Sequence, residues 1–445
     1  MVVKAGVSAR DLAARVVERV TRQDAFAAAT LEAELSRAVQ LEARDRALAT
    51  ELVYGTLRVL PWLKGEIARF ATRGIDSLDA RVQARLAVAA YQLFFTRVPA
   101  FAAVSEAVEA VRVERGAKLA GFANAVLRKV AARAATMHGE LRQEALAAST
   151  PAWLRAAIER AIGTDGASAF LRSASEGPAV ALRVEREVER DAWLGRLRAG
   201  APGATFEPGR VSPRAILARS AGRAQGLPGW DEGAWTVQEE GSQLAALAVG
   251  ARDGEIVLDA CAGRGNKTGV LARAVGPTGA VDACDTSPSK LKRLEEELAR
   301  LGVRARASFA VDWSVGSGEV TGQYDRVLVD APCTGVGTLR RRPEIMLRLR
   351  ESDLQARPQV QLGIATRAAE HVRPGGSLVY VVCSVLREEA EDVVSALLVA
   401  RPELEPAAFD APEAAALAGG ASSLRLVPNV HGTDGYFLAR LVRRR

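Results

Sequence analysis

The chain is poor in the residues that hold metals and build disulfides. Its 445 residues include only three histidines (His138, His371, His431) and four cysteines (Cys261, Cys284, Cys333, Cys383), with no C-x-x-C pair. That argues against a zinc site and against a cysteine framework, leaving the thiols to catalysis or core packing. No run of 18 apolar residues occurs, so no membrane span is read. The N-terminal stretch MVVKAGVSARDLAARVV lacks a long apolar core followed by a small-residue cleavage site. A cytoplasmic location is therefore expected. What the chain does have is a net charge of +7, which permits a polyanionic partner without proving one.

A chain of this length holds two or three domains. Residues 1–140 read as helix after helix, in RDLAARVVERV, RDRALATELVYGTLRVLPWLKGEIARF and LDARVQARLAVAAYQLFF, with Pro61 and Pro99 where turns would sit. Residues 145–235 read as a small α+β linker domain. They hold a helix from Trp153 to Arg172, the strand AVALRVE, the helix DAWLGRLRAG, a Pro/Gly-rich segment APGATFEPGR and the strand AILARS. From 236 to 445 strands and helices alternate. EIVLDA, AVDACD, RASFAVD, YDRVLVDAP and GSLVYVVCS are the strands, and strict alternation predicts a parallel, Rossmann-like sheet with helices on both faces. The expected fold class is thus an all-α domain, a small α+β domain and an α/β domain.

In such a sheet the ligand lies at the carboxyl ends of the strands. Acids stand there in series: Asp259, Asp285, Asp312 and Asp330. The loop after the first strand, Cys261-Ala262-Gly263-Arg264-Gly265-Asn266-Lys267-Thr268, fails the P-loop pattern at both glycines. It also fails the dinucleotide fingerprint at Thr268. A G-x-G turn with an acid at each strand end favours S-adenosylmethionine over a nucleoside triphosphate. Cys333 and Cys383 end the fourth and fifth strands, on the same edge. That pairing suits the activation of cytosine carbon 5, in which a thiolate adds to carbon 6 and makes carbon 5 able to accept a methyl group. Taken alone, Cys383 reads equally well as a small core residue. Cys261 has no comparable context, and Cys284 reads as packing.

Several stretches resemble the RNA cytosine-5 methyltransferases of the NOL1/NOP2/Sun family. YDRVLVDAPCTGVGTLRRRPEI and GGSLVYVVCSVLREEAEDVV resemble the segments around that family's two cysteines. VQEEGSQLAALAV and HGTDGYFLARLVR resemble its opening helix and C-terminal strand. DRALATELVYGTLR, AAYQLFF, FAAVSEAVEAVR and GFANAVLRKV are similar to the NusB-like RNA-binding domain of its bacterial RsmB-type branch, which methylates 16S ribosomal RNA. The resemblance implies Cys383 as nucleophile and Cys333 as an aid to product release. Asp330 would contact the target base or the methionine end of the cofactor, Asp285 the ribose, and Asp312 would lie beside the adenine. The cofactor loop would run from Cys261 to Lys267. That family's loop reads Cys-Ala-Ala-Pro-Gly-Gly-Lys-Thr, so Arg264 and Asn266 depart from it. Glycine at position 266 would allow a positive φ and close approach to the cofactor. Asparagine tolerates that φ better than most residues but adds a side chain, and Gly263 is expected to supply the slack one turn earlier, so that cofactor binding survives, at most weakened.

Arg340, Arg341 and Arg342, with Arg348 and Arg350 beyond them, suit phosphate contacts, or equally a solvated helix start. Arg443-Arg444-Arg445 reads as a frayed end. The expected partner is RNA, above all small-subunit ribosomal RNA, with the target cytosine flipped out of its stack. No metal and no membrane partner are expected, and the chain is expected to be a monomer. Two other functions stay open: an RNA-binding protein that kept the fold and lost catalysis, and a methyltransferase for a protein or small molecule. The latter often carries an Asn/Asp-Pro-Pro-Tyr motif where this chain has Asp-Ala-Pro-Cys.

Overall fold

The computed structural model describes residues 7–23, 25–71 and 74–445. They form two compact units: one of Met1–Ala156, Ala167–Gly177 and Leu339–Leu349, the other of Ala157–Gly166, Pro178–Thr338 and Arg350–Arg445. The small middle sheet thus groups with the α/β sheet, while eleven residues that follow the Cys333 loop group with the helices.

The helical unit opens on Ala9–Arg22, started by a capping box in which Ser8 Oγ accepts from Asp11 N and Asp11 Oδ2 accepts from Ser8 N. Leu12, Ala13, Val16, Val17 and Val20 form its buried stripe, at the spacing of one helix face. The long periodic run around residues 44–70 splits into Ala43–Arg58 and Leu60–Ala68. Pro61 sits in the first turn of the second, where its missing N–H costs no helical bond. Helices Ala80–Phe95, Ala100–Arg115 and Ala117–Ala134 follow, with Pro99 as the N-cap of the middle one. The segment Leu339–Leu349 is held by side chains from distant parts of this unit. Ala27 N donates to Glu344 Oε1 at 3.2 Å, Arg58 Nη2 to Arg340 O at 2.9 Å, and Thr150 Oγ1 faces Met346 Sδ at 3.5 Å.

The second unit holds two sheets. Strands β1 (Val180–Val184), β2 (Thr205–Pro208), β3 (Ala215–Arg219) and β4 (Trp235–Val237) form an antiparallel sheet in the order β2-β3-β1-β4. The Pro/Gly-rich segment APGATFEPGR contains a strand, β2. Its proline is tolerated because β2 lies at the edge of the sheet. The helix Arg190–Gly200 covers one face through Trp193, Leu194 and Leu197 against Phe206 and Trp235.

The main sheet contains β5 (Ile256–Asp259), β6 (Ala280–Asp285), β7 (Ala307–Ala310), β8 (Tyr324–Asp330), β9 (Val372–Val382), β10 (Leu404–Pro406), β11 (Ser423–Leu426) and β12 (Tyr436–Arg443). Strands β9-β8-β5-β6-β7 are parallel, as the alternation predicts. The sheet as a whole is mixed, however. β12 pairs antiparallel with β9, and β10 and β11 pair antiparallel with β12. The chain end is not frayed: Arg443 lies in β12, and Arg444 N donates to Glu403 O at 2.9 Å. Residues alternate between the two covered faces. Leu258, Val327, Val329 and Tyr380 pack with the helix Asp353–Glu370. Val257, Leu328, Val379 and Val381 pack with the helices Glu240–Leu247 and Asn266–Val275. Burial on both faces explains why β5, β8 and β9 read as near-continuous apolar runs. The strand order reverses between β5 and β8, so their ends, Asp259 and Asp330, mark the crevice where α/β sheets hold ligands.

Candidate active site

The loop leaving β5 is shaped by two glycines in the left-handed region. Gly263 has φ +59° and Gly265 φ +87°. Gly265 caps the helix Asn266–Val275, and a Cβ there would meet Leu294 Cγ at 2.8 Å. Beside Gly263 the space is open to 4 Å. Asn266 is the first residue of the helix, and Ser220 is the only described non-glycine residue with positive φ. Asn266 thus puts no strain on the loop, and Gly263 supplies a left-handed turn as expected. The strained positions are one and three residues earlier, and both are glycine. Arg264 is exposed between them. Arg183 of β1 supports the loop from below. Its buried guanidinium donates to Asn266 O and Gln238 Oε1 at 2.5 Å and pairs with Glu185 at 2.6 Å.

The strand-end acids have distinct settings. Asp285 accepts from Gly263 N at 3.1 Å and Ser287 N at 2.9 Å, with Lys290 Nζ 3.3 Å away, so it ties the loop to the end of β6. Asp312 is exposed and accepts from Ser314 N at 2.8 Å and Ser314 Oγ at 2.6 Å, which hold its pKa down. Asp259 is buried and accepts from Thr268 Oγ1 at 2.8 Å, while its Oδ1 has no protein partner. Asp330 accepts from Lys267 Nζ at 2.5 Å. Burial works against the Lys267 ammonium, but Asp330, with Cys383 and Asp259 adding to it, raises its pKa.

The two cysteines meet: Cys333 Sγ and Cys383 Sγ lie 3.3 Å apart. Gly337 N donates to Cys383 O at 3.1 Å, joining the loop after β8 to the end of β9. Cys333 has its pKa pushed well up, first by the hydrogen bond with Cys383 and then by burial. Cys261 is raised well above its ordinary value by burial and by Asp330, Asp259 and Asp285 around it, which makes it a poor nucleophile. Cys284 is wholly buried in β6, as packing requires.

Sequence reasoning missed Thr334, Gln361 and Glu389, which lie behind Cys333. Thr334 N and Oγ1 donate to Glu389 at 2.7 and 2.5 Å, and Gln361 Nε2 donates to Glu389 Oε1 at 2.9 Å. The one signal was an acid in Arg387-Glu388-Glu389, which reads as an ordinary charged helix start. Arg183 was also missed, as a lone arginine in an apolar strand. Arg340, Arg341 and Arg342 lie in the segment that groups with the helices; Arg340 and Arg341 are half-buried and Arg342 is exposed.

Comparison with known proteins gives the chain several relatives. Residues 246–442 match the family model described as 16S rRNA methyltransferase RsmB/F, and residues 7–132 match that of the NusB family. The chain is 31% identical to ribosomal RNA small subunit methyltransferase B of Klebsiella pneumoniae subsp. pneumoniae over 99% of this chain and 100% of that one. It is 33% identical to the protein of the same name from Salmonella agona, over 98% of each. Among solved structures, PH0851 superposes with a TM-score of 0.81 at 23% identity, over 99% of this chain and 100% of that one. A methyltransferase homolog from Pyrococcus horikoshii has a TM-score of 0.56 at 25% identity, over 69% and 100%.

Proposed function

Because this chain belongs to the family of 16S rRNA methyltransferase RsmB/F, we propose that it moves a methyl group from S-adenosylmethionine to carbon 5 of a cytosine in small-subunit ribosomal RNA, through a covalent bond from Cys383 to cytosine carbon 6. The observation that carries this reading is the pair of thiols 3.3 Å apart at the ends of neighbouring strands, on the edge that also bears Lys267 and Asp330.

The residues present fit the cofactor. Open space beside Gly263, a buried Asp259 oxygen without a protein partner and the carboxylate of Asp285 form a cradle for its amino acid and ribose. When bound, S-adenosylmethionine supplies a methyl group on a positively charged sulfur. The chain's own work begins at Cys383, whose thiolate adds to carbon 6. Negative charge then builds on the base, and the Lys267 ammonium, kept protonated by Asp330, stands nearby to stabilise it. After carbon 5 is methylated its proton leaves to a base. The C–H electron pair forms the C5=C6 double bond, the C6–Sγ bond breaks, and Cys383 returns as a thiolate. Cys333, in contact with the Cys383 sulfur, assists this release. Arg340, Arg341 and Arg342 contact RNA phosphates, and the NusB-like helices add RNA contacts.

Two variants test the reading. Cys383→Ala is expected to abolish both product and adduct, whereas Cys333→Ala is expected to accumulate an RNA–protein adduct that survives a denaturing gel. Formation of 5-methylcytosine by Cys383→Ala would overturn it. Bisulfite mapping of ribosomal RNA from cells lacking the protein reads the substrate.

A further inference from the structure

The two peptide groups on either side of Cys333 are both clamped from beneath. Gln361 Nε2 donates to Pro332 O at 3.1 Å, and Thr334 N donates to Glu389 Oε1 at 2.7 Å. The same Gln361 amide donates to Glu389 Oε1, and Thr334 Oγ1 donates to Glu389 Oε2 at 2.5 Å. Tyr380 closes the cluster, its hydroxyl 2.7 Å from Glu389 O and 3.1 Å from Gln361 Oε1. Glu389, Gln361 and Tyr380 are fully buried. A carboxylate sealed from water is costly unless donors surround it, and here three do.

We infer that Glu389 is a positioning residue for product release: with Gln361 it fixes the Pro332–Cys333–Thr334 backbone and so holds the Cys333 thiol against Cys383. Glu389 acts on the Cys333 backbone through Thr334, and its charge also helps to raise the Cys333 pKa. The inference rests on the covalent reading above. It assigns Glu389 to the second half of the reaction, bond breakage at carbon 6, and not to the first.

The test separates those halves in the full-length protein, with RNA and S-adenosylmethionine supplied. Glu389→Ala is expected to form the Cys383 adduct at near wild-type rate but release it about tenfold more slowly, the cost of one misplaced group. Glu389→Gln keeps the Oε1 acceptor and puts an amide donor where Oε2 stood, so the Thr334 hydroxyl accepts from it and turns its own proton toward Ser384 Oγ, 3.5 Å away. It is expected to recover release to within about threefold of wild type. In a Cys333→Ala background Glu389→Ala should slow release no further, since the group it positions is gone. Slowing that persists there, or equal slowing of adduct formation, would overturn the inference. If Glu389→Ala does not fold, Thr334→Val removes one of the three donors. Release by that variant is then expected to slow about threefold with adduct formation unchanged, and release at the wild-type rate would also overturn the inference. Failure of the covalent reading itself looks different: Cys333→Ala would then show no adduct at all.

Discussion

Asp259 is held far from the chemistry of an ordinary surface carboxylate. Burial pushes its pKa up to about 7, with Asp330 adding to the rise and Thr268 and Lys267 opposing it. Between pH about 4 and 7 this carboxyl is neutral in the fold and ionised in the unfolded chain. The unfolded state then binds fewer protons, so stability falls as pH rises through that window. Asp259→Asn keeps an acceptor for Thr268 and removes the titration. Its melting temperature relative to wild type is expected to rise from pH 5 to pH 8, by the equivalent of roughly 1 kcal/mol or more. A constant difference across that range would mean that Asp259 ionises normally. The residue scale is also where the sequence misled most. Asn266 looked like a strained glycine replacement because position in a motif was taken for conformation. The helix already begins at Asn266, and a helical asparagine needs no positive φ.

Among the elements, the parallel strands were legible because burial on two faces leaves a run of Val, Leu and Ile between an acid and a turn. Of the antiparallel edge only β12 was legible, through the stretch HGTDGYFLARLVR, and its direction was not, since a strand's direction leaves no mark on its composition. β2 was hidden by Pro208, which an edge strand admits and a central one does not. The clamp behind Cys333 was invisible for another reason: Gln361 and Glu389 lie on different elements and meet only when the Cys333 loop folds between them. The cofactor loop offers a contrast within one turn. Gly265→Ala forces both a left-handed alanine and a collision with Leu294, and is expected to cost at least about 2 kcal/mol of stability in a chemical melt. Gly263→Ala meets only the backbone cost of about 1 kcal/mol. Because its side faces open space, it is expected to weaken S-adenosylmethionine in a titration more than Gly265→Ala does per unit of stability lost. Equal effects of the two variants would mean that the cofactor does not lie against Gly263.

For the whole molecule, the composition reached as far as a basic chain with a helical and an α/β part. How the chain divides between its units lay beyond it, because that depends on which distant segments bury one another. Met346 shows this. It stands in the stretch after β8, yet it is buried beside Thr150 of the helical unit. Met346→Ala is expected to cost about 2–3 kcal/mol. Hydrogen exchange should quicken around Ala27 and Thr150 rather than in β8 and β9. Faster exchange confined to the sheet would assign Leu339–Leu349 to the other unit.

That interleaving also sets an order in time. The chain leaves the ribosome from its N-terminus, so the helical unit has all but one of its pieces once Gly177 is out, and lacks Leu339–Leu349. At 5–20 residues per second the missing piece follows roughly ten to thirty seconds later. Until then the cleft that receives Met346 stands bare in a nascent protein. A transcript broken anywhere before codon 339 therefore yields not a finished helical domain but one still waiting for its last turn.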